Sequence, residues 1–72
     1  MLIKVNTHDH RPAHVHAFTP SGEVIIFIPK RGKAVLREAQ PGVTRSDVGK
    51  ALDIVNANID ACRSTWRKYH GE

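Results

Sequence analysis

Val48, Leu52, Val55, Ile59, Cys62, Trp66 and Tyr69 recur at alternating steps of four and three residues. That spacing lines them up as one stripe on one α-helix. No other feature constrains the fold as much, because an apolar stripe needs a cover and the residues before it have to provide one. Thr44-Arg45-Ser46-Asp47 opens the segment with capping-box spacing, although Asp47 stands where Glu or Gln is preferred. The pattern predicts a single long helix over residues 45–69, roughly 36 Å long at 1.5 Å per residue. A six-residue strand reaches only ~20 Å. The far end of the helix is therefore expected to overhang a sheet and meet a loop or a second subunit. Trp66 and Tyr69 at that end are the candidate interface residues. Cys62, on the same stripe, reads as a small buried hydrophobe rather than a nucleophile.

The residues before the helix alternate in the manner of strands. Ile3 and Val5 are apolar between polar Lys4 and Asn6, which predicts a strand over 2–7. Ala13, Val15 and Ala17 continue the same parity, which predicts a second strand over 13–19. Between them, Asp9 and Pro12 mark a turn. Opposed residues of an antiparallel hairpin share a face. Ile3, Val5, Val15 and Ala17 are thus expected on the core side, and Lys4, Asn6, His14 and His16 on the other. Pro20-Ser21-Gly22 is a turn signal before a third strand over 23–28. That strand is apolar on both faces, so it is central or covered by another subunit. Residues 34–38 suit a short fourth strand. The expected fold is α+β, with a three- or four-stranded antiparallel sheet, hairpin first, and the long helix packed across it.

Seventy-two residues make one small domain. A core this size is often supported by a metal, disulfides or a partner, and the single cysteine cannot form an internal disulfide. No apolar run approaches the ~20 residues of a membrane span. The opening M-L-I-K-V lacks the features of a signal peptide. The expectation is a soluble, cytoplasmic protein that does not enter a membrane. Eleven Lys and Arg against seven Asp and Glu give a net charge of +4. A small basic domain can attract phosphate, nucleic acid or an acidic protein.

The chemistry concentrates in residues 8–16, H-D-H-R-P-A-H-V-H, which hold four of the five histidines. Histidines at i and i+2 of a strand point the same way. Neutral imidazole suits Zn²⁺, Ni²⁺, Cu²⁺ or Fe²⁺. His8, His10, His14 and His16 are therefore candidate ligands of a divalent transition metal such as Zn²⁺, with Asp9 as a candidate carboxylate. The spacing matches no standard zinc-finger pattern. Paired histidines also serve metal-free acid–base chemistry, which makes His14 and His16 candidate catalytic residues of a small ribonuclease. That chemistry needs a phosphate clamp, and Arg11, Lys30, Arg31 and Lys33 are candidates for it. On sequence alone, Lys30–Lys33 read better as a solvated basic turn.

His8-Asp9-His10, then Pro12, then His14-Val15-His16 close to the N-terminus resembles the small bacterial proteins of the family "domain of unknown function 4160". A strand-rich segment and a C-terminal helix with a late tryptophan, here Trp66, extend the resemblance over most of the chain. Ala13 stands where the family usually has a second proline. The family has no established activity. Its members are often encoded beside another small protein, and the resemblance implies a binding module of a toxin–antitoxin-like pair. The partners so implied are a small protein encoded nearby and nucleic acid; a second copy, joined through sheet or helix, is a further candidate. The metal site and the ribonuclease stand as the alternative functions.

Overall fold

The computed structural model describes residues 1–5 and 12–70, with His70 described by its backbone alone. Four antiparallel strands precede two helices: β1 Leu2–Lys4, β2 His14–Thr19, β3 Gly22–Phe27, β4 Val35–Ala39, α1 Arg45–Ala57 and α2 Ile59–His70. The strands form one sheet in sequence order. The α+β expectation holds, and the fourth strand is present.

Register follows from the tight turn at Pro20 and Ser21. Thr19 faces Gly22, and the pairing runs back to His14 opposite Phe27. On the other side Ile3 faces Ala17 and Lys4 faces His16. The parity read from the sequence is therefore kept. Val15, Ala17, Val24 and Ile26 are fully buried on one face and form the core with Ile28, Ala51, Val55 and Cys62. Leu2, His14, His16, Phe18, Ile25 and Phe27 fall on the opposite parity. β3 lies inside the sheet, as its two apolar faces require, and Ile25 and Phe27 are half-buried.

The single long helix is corrected to two. Asn58 breaks it, with φ −122° and ψ 23°. Its side-chain Nδ2 donates to the Ile54 carbonyl at 2.8 Å, and its N–H turns to the Val55 carbonyl at 3.1 Å. An asparagine that bonds its own backbone offers the chain an alternative to the helical ladder. The Asn58 carbonyl then accepts from Cys62 N at 3.0 Å and opens α2. The segment is thus two helices of 13 and 12 residues in place of one.

The β2–β3 turn and the start of α1 are tied together. Thr44 Oγ1 accepts from Asp47 N at 3.1 Å, the expected N-cap. The return half of the box is replaced: Thr44 N donates to Ser21 Oγ at 3.1 Å. Asp47 in turn accepts from Ser21 N at 3.1 Å and from the Ser21 hydroxyl. The hydroxyl bond, above all, holds the Asp47 carboxyl below its ordinary 3.8, against partial desolvation. Gly22, at φ +142°, allows the close approach: a Cβ there would lie 2.9 Å from Val43 Cγ2. Among the described residues no helix is long and apolar enough to cross a membrane.

Candidate functional site

β2 delivers His14 and His16 to the face away from the main core, as alternation along a strand demands. Their ring centroids are 5.3 Å apart. His14 Nδ1 donates to the Pro12 carbonyl at 2.7 Å. The i, i−2 spacing makes this a local contact, set up where Pro12 ends the turn and β2 begins. His16 Nδ1 lies 2.5 Å from Glu23 Oε2. Glu23 faces Phe18 on β3, so it reaches His16 diagonally across the hairpin. A carbonyl or an ionised carboxylate can only accept. Both rings therefore carry a proton on Nδ1, and in the neutral form each lone pair is on Nε2.

Trp66 of α2 completes this group. Its ring centroid is 5.3 Å from that of His14 at a tilt of 49°. The contact leaves His14 7% exposed and Trp66 2% exposed. Trp66 is thus taken up inside the chain. Tyr69 is half exposed, with the Lys68 ammonium 5.7 Å from its ring centroid. Cys62 is buried as expected, and burial pushes its thiol above the ordinary 9.0.

The other side of Trp66 lines a cavity of about 250 Å³. Ala13, Ile28 and Pro29 share its apolar wall, and Lys30, Arg63 and Arg67 supply the charge. Arg63 holds the basic turn in place. Its Nε donates to the Pro29 carbonyl at 3.0 Å and its Nη2 to the Gly32 carbonyl at 2.8 Å. Ala34 N donates to Asn56 Oδ1 at 2.8 Å, fixing the far end of the turn to α1. Lys30 is therefore brought beside Trp66, one ring away from His14, whereas Arg31 and Lys33 stay exposed on the turn.

His8, Asp9, His10 and Arg11 lie outside the described residues. Among the described residues no group of three or more His, Cys, Asp and Glu side chains is placed to hold a metal ion. Three participants were not assigned to the site from sequence. Glu23 could have been found by counting register across a two-residue turn. Arg63 and Arg67 flank Trp66 on the helix, but nothing local links them to Lys30.

Comparison of the chain with protein-family models, with curated proteins and with solved structures gives no match to any of them.

Proposed function

We propose that the chain is a small binding module of the kind its histidine motif resembles, and that it holds a divalent transition metal through His14 and His16. The observation that carries this reading is the engagement of both Nδ1 atoms, one by a carbonyl and one by a carboxylate. Metal-binding histidines characteristically donate their second ring N–H to such groups, which fixes the tautomer and raises ligand basicity. His8 and His10 of the same motif are the sequence candidates for the remaining ligands. An all-imidazole set favours Zn²⁺, Ni²⁺ or Cu²⁺ over Mg²⁺ or Ca²⁺.

Calorimetric titration of metal-free protein with Zn²⁺ and Ni²⁺ at pH 7.5 tests this. Stoichiometric sub-micromolar binding is expected, lost in the His14→Ala/His16→Ala double variant. Glu23→Ala removes only the outer partner and should weaken binding by about 10- to 100-fold. Binding should also weaken as the pH falls, because histidine must be neutral to hold a metal ion. Weak binding that the double variant shares would refute the reading.

The toxin–antitoxin-like reading, with a small protein partner, draws support from the opposite-parity face of the sheet. Leu2 and Phe18 face each other there and are 61% and 40% exposed. Stoichiometric co-purification with the protein encoded alongside, lost on Phe18→Glu, is its test. The ribonuclease reading draws on the Glu23–His16 pair, in which a carboxylate orients an imidazole for proton transfer. Cleavage of RNA in chelator, with a bell-shaped pH profile that His16→Ala abolishes, would support it.

A further inference from the structure

The turn after β3 and the second helix bring three cations to one hollow. Lys30 comes from the turn, Arg63 and Arg67 from α2, and none of the described residues lining the cavity is acidic. Asp60, which lies 3.4 Å from Arg63, is 97% exposed and outside the lining. Like charges gathered around one cavity repel each other, and an anion placed among them removes that repulsion. The other described residues of the lining, Ala13, Ile28, Pro29 and Trp66, are apolar. We propose that this cavity binds one nucleotide unit by its phosphate, with Lys30 and Arg67 as the anchoring cations.

The chemistry narrows the ligand. Arg and Lys around a concave site suit a phosphate dianion, and the guanidinium fork matches its oxygens. The apolar wall suits a flat organic body attached to that anion. A volume of about 250 Å³ is below the ~300–1,000 Å³ of sites for drug-sized ligands. One nucleotide fits this description better than a longer segment. Trp66 is too buried to act as an open stacking platform, so the base-stacking mode of single-strand binders does not apply. The phosphate is the anchor. Arg63 is a positioning residue, because its bonds to the Pro29 and Gly32 carbonyls hold the wall that carries Lys30. The inference is independent of the metal reading.

Trp66 is the only tryptophan, and it lines the cavity, so its fluorescence reports directly on occupancy. The protein is titrated in chelator with AMP, with adenosine and with a short RNA bearing a 5′-phosphate. AMP should change the emission saturably, and adenosine should bind at least tenfold more weakly. Lys30→Ala/Arg67→Ala, both exposed positions whose loss leaves the far-UV circular dichroism unchanged, should weaken AMP by tenfold or more. Lys50→Ala on α1 removes the same kind of charge outside the cavity and should leave the titration unchanged. Tighter binding of the RNA than of AMP would support a strand end as the source of the phosphate; equal binding would support a free nucleotide. Adenosine binding as well as AMP, no saturable response to any probe, or equal weakening by Lys50→Ala would overturn the proposal.

Discussion

Ile25 and Ile26 are chemically identical neighbours on opposite faces of β3, and replacing each with alanine isolates what the faces do. Ile26 is fully buried opposite Val15, in the cluster that Ala51 and Val55 of α1 close. Ile25 is half-buried opposite His16. Truncating a fully buried isoleucine to alanine costs about 2–5 kcal/mol, the sum of lost transfer energy and an unfilled cavity. At about 0.05–0.15 kcal/mol per residue, a 72-residue domain has only about 4–11 kcal/mol in total. Ile26→Ala should therefore remove a large share of the stability, and about 3 kcal/mol would lower Tm by roughly 12–24 °C. Ile25→Ala should cost about 1 kcal/mol, since strand preference and partial burial together span no more than that. Urea unfolding followed by circular dichroism, with m unchanged between variants, gives both values. Equal costs would refute the one-sided core. A larger cost at Ile25 would mean that the histidine face is the covered one.

Further outcomes follow from the same contacts. Gly22→Ala puts a Cβ 2.9 Å from Val43 Cγ2 at a φ of +142°, and should destabilise by more than about 1 kcal/mol in the same unfolding assay. Asp47 has a depressed folded-state pKa. Its contribution is therefore complete above its ordinary value near 3.8 and is lost as pH falls through the lower folded value. Asp47→Asn should flatten the stability–pH curve below about pH 4 and leave its slope near neutrality unchanged. Burial raises the Cys62 thiol pKa, so reaction with a disulfide reagent at pH 8 should be slow in native protein and fast in urea, where the thiol is exposed. Arg63→Ala deletes two bonds to turn carbonyls and should cost about 1–3 kcal/mol, with faster amide exchange over residues 30–33.

The sheet was legible because alternation is a local signal with a physical cause. Ile3 and Val5, then Val15 and Ala17, keep one parity, and a short Pro20–Ser21 turn leaves little choice of register. The helix break was not legible from the stripe, because Val55, Ile59 and Cys62 keep the four–three spacing straight across Asn58. What breaks the helix is polar: an amide that bonds the Ile54 carbonyl. Hydrophobic periodicity carries no trace of it. His14 and His16 were placed on the correct face, but their partners lie elsewhere in the sequence. Glu23 comes from the next strand and Trp66 from the last helix.

Those partners explain why a polar residue such as His14 can be nearly as buried as the core. An imidazole taken from water needs its N–H satisfied, and the Pro12 carbonyl at 2.7 Å does so with minimal loop entropy, two residues away. Burial by Trp66 then locks the ring. His16 is satisfied by Glu23, so the two rings share a tautomer although their acceptors differ in charge. That difference has a consequence for Glu23→Gln. The amide can still accept from Nδ1 through its oxygen, so the tautomer of His16 should persist while the negative charge that stabilises an imidazolium is removed. Nitrogen-15 shifts of the two rings at pH 7.5 should then keep the protonated-Nδ1 signature in both wild type and variant. A switch of His16 to the Nε2–H form would show that the charge, and not the geometry of the hairpin, sets which nitrogen is presented.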